Sequence, residues 1–354
     1  MRVIDGDRAP VMADVARIAG VSHQTVSRVL NDHPNVRPAT RDRVLAAIRE
    51  LGYRPNAAAR TLVTRRTRTL GVISVNTTLY GPASMLYGIE QAAKQYDYFV
   101  TVAALAALDR RSVLDAVDRL RDQAVEGIIV IAPQTTAVGA LANVRSDVAL
   151  VAVGCGTHAS LASVAVDNEA GAERATSYLL DLGHTTVHHL AGPNSWLDAQ
   201  ERVTGWRRAL QERGAPVPEP LAGGDWSART GFELGHRIAG DPEITAVFCA
   251  NDHMALGLLR SLQQAGRRVP EDVSVIGFDD IPEAEYFGPP LTTVRQDFDE
   301  LGRRALGSVI GLIDAHGTSG QSGGAAPARP TAPRVSIEPS LVVRASATRP
   351  RATP

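Results

Sequence analysis

Lysine is almost missing from this chain: of 37 basic residues only Lys94 is not arginine. A bias that even along the whole length reflects GC-rich coding rather than a demand for guanidinium at each position. Cysteine is nearly absent too. Cys155 and Cys249 are far apart in apolar surroundings, which excludes a disulfide framework and a cysteine metal site and predicts two buried, reduced thiols. No apolar run is longer than a strand, against the roughly 20 residues of a membrane span. No basic-then-apolar leader precedes Met12. These absences predict a cytoplasmic protein with no membrane partner, no metal and no cofactor.

What is present is a charge asymmetry. The net charge of −1 hides a first segment, residues 1–68, with 13 arginines and 6 acids, or +7, and a remainder of −8. Charge sign by segment reports a polyanionic partner better than the total does. The 354 residues, 44 % of them hydrophobic, supply cores for two or three folded units.

The basic segment reads as three short helices, at 14–19, 22–31 and 40–51, each with apolar residues at helical spacing. Gly20 separates the first two, Ser22 can cap the second, and Thr40 the third. A helix, a glycine-bearing turn and a second helix with polar tips form a helix-turn-helix, whose second helix enters the major groove. After it, residues 56–63 are enough for one or two helical turns, too few to be stable alone. The basic "TRRTRT" that follows is linker-like.

From Leu70 the rhythm changes. Strand-like runs at 70–75, 98–103, 127–132, 149–154, 163–167, 186–192, 246–252 and 273–280 alternate with amphipathic helices at 83–96, 110–123, 168–182, 198–213, 227–240 and 253–266. That alternation predicts parallel sheets with helices on both faces, here two doubly wound lobes. The stretch 315–333, rich in Gly, Ala, Pro and Ser, reads as a flexible surface insertion, and "RVSIEPSLVVR" as a closing strand pair. Ligands of open sheets bind beyond the carboxyl ends of the strands. Asn251, Asp252, Asp279, Asp280, Gln296 and Phe298 fall at such ends, Arg202 follows "LAGPNSW", and Trp226 follows "GGD".

Several of these stretches taken together resemble the LacI/GalR family of sugar-responsive repressors: "DVARIAGVSHQTVSRVLN", "RDRVLAAIRELGYRPNAAARTL", "GDWSARTGF", "CANDHMALG", "VSVIGFDD" and "PPLTTVRQDF". They follow the family's order from about Val11 to Arg344, and the later ones are most similar to its lactose-repressor branch. The resemblance implies a helix-turn-helix DNA-binding domain at 1–55 and a hinge helix and linker at 56–68. A two-lobed, periplasmic-binding-protein-like α/β domain would span 69–345, with a flexible tail at 346–354. The amino-terminal lobe would comprise 69–166 and 296–325, the carboxy-terminal lobe 167–295 and 334–345.

In that frame His23 and Gln24 contact base edges, with Arg28 also reaching bases, while Ser22, Thr25, Ser27 and Asn31 touch phosphates, which position without reading sequence. Asn56 and Ala59 belong to the hinge, and Leu62 is the wedge that unstacks a base step in the minor groove. Arg202, Asn251 and Asp279 bind sugar hydroxyls, Gln296 joins them at the cleft, and Trp226 and Phe298 pack on the ring. Asp252 and Asp280 are expected to be structural. The implied protein is a homodimeric repressor on a palindromic operator, associated with the nucleoid when bound, released by a galactoside or related glycoside. The branch's aspartate and asparagine in the amino-terminal lobe are replaced here by Gly154 and Ile131. The alternatives are a purine-type corepressor on the same fold, or a sugar-binding protein without regulatory DNA binding.

Enzyme chemistry finds no footing. Asp279 and Asp280, adjacent on a strand, point oppositely and cannot flank one bond. "GCGTHA" lacks the acid about 20 residues on that a dinucleotide site needs. His184 and His188 sit at a strand entry without a third ligand.

Overall fold

Apolar residues three and four apart decide the first element. In a computed structural model of the chain, describing residues 10–30, 33–53, 66–142, 144, 148–155, 161–319 and 334–351, they put Val15, Ala16 and Ala19 on the buried side of helix α1, Met12–Ala19. At the start of α1 the Asp14 carboxylate reaches back and accepts from the Val11 amide at 3.0 Å. Gly20 ends the helix at φ 63°, a left-handed turn that side chains disfavour, and leads into α2, His23–Leu30. Ser22 does cap α2, its hydroxyl accepting from the Thr25 amide at 3.2 Å. Helix α3, Pro38–Leu51, begins before Thr40, with Arg37 at the cap position and proline in the first turn, so Thr40 lies inside the helix. Val15, Val26, Val29, Val44 and Tyr53 close a small core among the three. These helices belong to one compact unit, Met1–Thr67; Arg68–Pro354 is a second.

The second unit is built from β-branched strands and amphipathic helices in alternation. Its first half runs β1 (Thr69–Val75), α4 (Tyr80–Gln95), β2 (Phe99–Leu105), α5 (Arg110–Asp122), β3 (Gly127–Ile131), α6 (Thr135–Ala142), β4 (Ala149–Val153) and β5 (Ala162–Val166). The chain then crosses into α7 (Asn168–Asp181), β6 (His188–Leu190), α8 (Leu197–Glu212), α9 (Ala228–Ala239), β7 (Ala246–Cys249), α10 (Asp252–Gln264), β8 (Ser274–Asp279), a 3-10 turn at Pro282–Tyr286 and β9 (Thr292–Arg295). It returns through α11 (Phe298–Ser319) and ends in β10 (Arg334–Ile337) and β11 (Ser340–Val342).

Two sheets result, in the orders β10-β5-β4-β3-β1-β2 and β11-β9-β8-β7-β6, parallel throughout except for β11 against β9. The two doubly wound lobes are as expected. Helix α6, apolar and almost without polar rhythm, strand β9 and the long helix α11 are elements the sequence reading did not place.

Three differences concern the end of the chain. The segment 334–345 does not close one lobe as a strand pair: β10 lies parallel to β5 in the first sheet and β11 antiparallel to β9 in the second. Ile337 is drawn into the first lobe's core and Leu341 against the second's, so the chain crosses between them. Helix α11 continues to Ser319, into the stretch read as an insertion; residues 320–333 lie outside the described residues. Residues 346–351 are not a flexible tail. Ser346 is fully buried, its hydroxyl donating to the Val275 carbonyl at 2.6 Å and accepting from the Thr292 amide at 2.8 Å, and Arg351 pairs with Asp272 at 3.0 Å.

Replacing Ser346→Ala strands a buried amide, and is expected to lower the free energy of unfolding by about 1–3 kcal/mol. Urea denaturation measures this; an unchanged midpoint would mean that the segment contributes nothing to the fold.

Candidate functional site

Helix α2 buries Val26 and Val29 and leaves His23, Gln24 and Arg28 exposed, with Ser22 also exposed and Thr25 and Ser27 half-buried. Burial by the opposite stripe fixes the rotation of the helix, so the exposed tips are presented as one set. The hydroxyls of Ser22 and Thr25 lie 2.9 Å apart at its start. Asn31, Asn56, Ala59 and Leu62 lie outside the described residues.

The second unit holds a cavity of about 280 Å³ between its lobes. The loop after β1 and the start of α4 supply Leu79, Tyr80, Pro82 and Met85. The carboxyl ends of the second sheet and the segments that follow them supply Trp196, Asp198, Arg202, Trp226, Asn251, His253, Asp279 and Gln296. Arg202 is the centre of the polar part and is only 3 % exposed. Its Nε donates to Asn168 Oδ1 at 2.9 Å, Nη1 donates to the Ala250 carbonyl, and Nη2 lies 3.8 Å from Asp279 Oδ1. The guanidinium lies 3.7 Å from the Phe278 ring centre and 5.4 Å from that of Trp226. Asp279 also accepts from Gln296 Nε2 at 2.7 Å. Asn168, on the start of α7, donates to Glu201 at 3.1 Å and to Asp198 at 3.4 Å.

Asp198, Glu201 and Asp279 thus surround one guanidinium. Burial raises Asp198 and Asp279 to about 6 although Arg202 pulls both down, and raises Glu201 to about 7 with the Asp198 charge adding to the rise. Desolvation outweighs the ion pair here because 3.8 Å is a long contact for a fully buried carboxylate. The site is rich in acceptors and poor in cations, which suits a neutral ligand with many hydroxyl donors.

Backbone geometry supports these side chains under strain. Trp226 takes φ 73° and Asp279 φ 115°, both in the left-handed half of the map. The Trp226 indole fills the space over Gly192, where an added Cβ would come within 2.6 Å of the ring. Its indole N–H, buried, has no hydrogen-bond partner among the described residues. Asn251 both lines the cavity and caps α10, accepting from the Met254 amide at 2.9 Å while donating to the Trp226 carbonyl at 3.2 Å.

The structure therefore brings Arg202, Trp226, Asn251, Asp279 and Gln296 to one cavity. Phe298 is not on its wall; it sits behind Tyr80, edge-on with ring centres 6.0 Å apart, because the start of α11 packs into the first lobe's core. Asp252 and Asp280 are structural: Asp252 accepts from the Ile281 amide and from Thr293, and Asp280 pairs with Arg295 and Arg344. Gly154 and Ile131 offer no polar group. Sequence reasoning missed Tyr80, Asp198 and His253; Trp196, which the sequence equally allows as a cleft wall but does not assign to the site, lines the cavity. Applying the strand-end rule to β1 would have reached Tyr80, five residues beyond it.

Residues 11–56 match the family described as bacterial regulatory proteins, lacI family, and residues 176–347 match the periplasmic binding protein-like domain. The chain is 38% identical over 302 residues to the HTH-type transcriptional repressor PurR of Vibrio parahaemolyticus, across 83% of this chain and 89% of that protein. It is 36% identical over 313 residues to the lactose operon repressor of Klebsiella pneumoniae, across 87% of each. Among solved structures it is similar to the Lac repressor dimer bound to operator and the anti-inducer ONPF, at TM-score 0.78 and 31% identity over 96% of this chain and 100% of that one. A complex of the transcriptional regulator CelR with cellobiose matches at TM-score 0.68 and 31% identity over the same shares.

The three carboxyls carry a pH signature. Their folded pKa values lie above the ordinary value of about 4, so the folded chain holds extra protons between about pH 4 and 7. The resulting stabilisation is complete below that window and is lost as pH rises through 6 to 7. Replacing Glu201→Gln is expected to flatten the decline of the thermal midpoint between about pH 4.5 and 7. An unchanged slope in that variant would contradict the assignment.

Proposed function

We propose an effector for this chain from its membership: it belongs to the LacI family of bacterial regulatory proteins and is a DNA-binding transcriptional repressor, not an enzyme. The effector is a sugar, a galactoside or related glycoside, that binds the interlobe cavity and releases the repressor from a palindromic operator. The observation that carries this reading is the cavity floor, where Arg202, Asp279, Asn251 and Gln296 lie with Trp226, acceptors and donors for hydroxyls beside an indole for the apolar face of a pyranose. The CelR structure, whose ligand is cellobiose, supports it.

On the DNA side, the exposed tips of α2 favour His23, Gln24 and Arg28 as base readers, with Ser22, Thr25, Ser27 and Asn31 on phosphates. Residues 56–68 serve as hinge and linker, with Asn56 and Ala59 in the hinge and Leu62 inserted in the minor groove at the operator centre. The active species is a homodimer in the cytoplasm, bound to the nucleoid through its operator. Exposed Tyr87, Tyr96, Phe99 and Val102 on α4, β2 and the turn between them, and Leu256 and Tyr286 on the second lobe, are surfaces such a pairing would cover. Sugar shifts the lobe arrangement only by its difference in affinity between the two states, a coupling of about 1–3 kcal/mol.

The 38% identity to PurR favours a second reading, in which a purine strengthens DNA binding. Gel shifts on palindromic duplexes separate the two. Lactose or cellobiose is expected to dissociate the complex, whereas tightening by hypoxanthine or guanine would replace the sugar reading by the purine one. In the same assay Gln24→Ala is expected to lose about 1–3 kcal/mol of discrimination at one base pair of each half-site. A uniform loss across sequences would make Gln24 a phosphate contact.

A further inference from the structure

The chain passes between the lobes at three places: at residue 167 after β5, at residues 296–297 after β9, and at residues 338–339 between β10 and β11. The elements on either side are hydrogen-bonded, so any change in lobe arrangement falls on the torsions of these segments. The last segment has few to offer, because Pro339 has its φ fixed by the ring and restricts Glu338 before it. One side chain holds what remains. Arg174, in the second turn of α7, donates from Nη1 to the Pro339 carbonyl at 2.8 Å and pairs through Nη2 with the Glu338 carboxylate. Both members of that pair are exposed, so it adds little to stability. Its effect falls on the hinge.

The same helix reaches the cavity. Asn168, in its first turn, accepts from Arg202 Nε at 2.9 Å, and the Asp167 amide just before it donates to the Ile337 carbonyl at 2.9 Å, beside the linker. Between these points an added Cβ on Gly171 would come within 2.8 Å of the Phe278 ring and 3.0 Å of Pro339, so α7 has no slack between the two. Phe278 in turn lies under the Arg202 guanidinium, 3.7 Å from its ring centre. Hydrogen bonds and packing thus join the cavity arginine to the linker through one helix.

Resting on the effector reading above, and on neither effector class in particular, we propose that Arg174 is a positioning residue for the allosteric response: it pins residues 338–339 to α7, so that a ligand displacing Arg202 turns the hinge. Two measurements on the full-length protein test this, each made on the wild type, Arg174→Ala and Arg174→Lys. The first is operator affinity on a palindromic duplex with and without lactose, cellobiose, hypoxanthine or guanine, together with the ligand's affinity for the DNA-free protein. Their combination gives the coupling factor for whichever ligand acts. The second is amide hydrogen exchange without ligand.

Arg174→Ala is expected to lower the coupling factor by about threefold or more, the scale for a residue that touches neither ligand, while each separate affinity stays within about twofold. Arg174→Lys, which keeps the charge and a donor for one of the two partners, is expected to retain part of the coupling. Exchange is expected to quicken in Arg174→Ala at the Asp167 amide and at 340–342, with the other strands unchanged. An unchanged coupling factor overturns the proposal and leaves the effector reading standing. A loss shared equally by operator and ligand affinity, with coupling intact, also overturns it, since that is what a merely structural residue would give. If none of the four ligands alters operator binding, the effector reading fails, and exchange decides the pin alone: faster exchange at 167 and 340–342 upholds it, and wild-type rates there overturn it.

Discussion

The buried guanidinium of Arg202 organises the second unit, because it is a cation within reach of two buried carboxyls, Asp198 and Asp279, and the half-buried Glu201. A charge taken out of water must be paired or hydrogen-bonded on nearly every donor. Arg202 meets this by spending its donors on Asn168 and the Ala250 carbonyl, facing Asp279, and laying its plane against Phe278. Those partners come from α7, β8 and the turn after β7, so one side chain ties three elements together. The acids that remain under-neutralised are what make the pocket hungry for hydroxyl donors. Stability of the lobe and affinity for a ligand therefore draw on the same few groups.

Preparation of the cavity extends to the backbone. Trp226 and Asp279 hold positive φ, conformations that persist only where neighbours over-determine them. Here the neighbours are identifiable: bare space over Gly192 admits the indole, Asn251 grips the Trp226 carbonyl, and Gln296 grips Asp279. Asn251 shows that a helix cap and a cavity wall need not be competing roles. The same side-chain amide caps α10's first turn with its oxygen and holds the Trp226 carbonyl with its nitrogen.

The two lobes and the three-helix head were legible because their signals are local: a period of 3.6 around Val15 and Val26, β-branched runs between amphipathic helices, glycine at Gly20. Arg202, Trp226, Asn251, Asp279 and Gln296 were legible because they stand at strand ends or in motifs. What escaped depends on contacts distant in sequence. Helix α6 has no polar face to reveal it, and Tyr80 and Trp196 become cavity walls only once opposite lobes meet. Phe298 looked like a ring platform by its motif, yet the core of the first lobe claims it. The fate of β10 was hidden for a related reason: Ile337 and Leu341, four residues apart, are pulled into different cores.

That last division bears on how the chain is made. The first sheet needs β10 and the second needs β11, so the first lacks a strand until residue 337 has been made and the second until residue 342. Ser346 then closes over β8 and β9. During synthesis both lobes wait, nearly complete, with an open edge apiece, and they finish within a dozen residues of each other. An arrangement of that kind couples their maturation: a nascent chain stalled after α11 carries two unfinished sheets rather than one finished lobe.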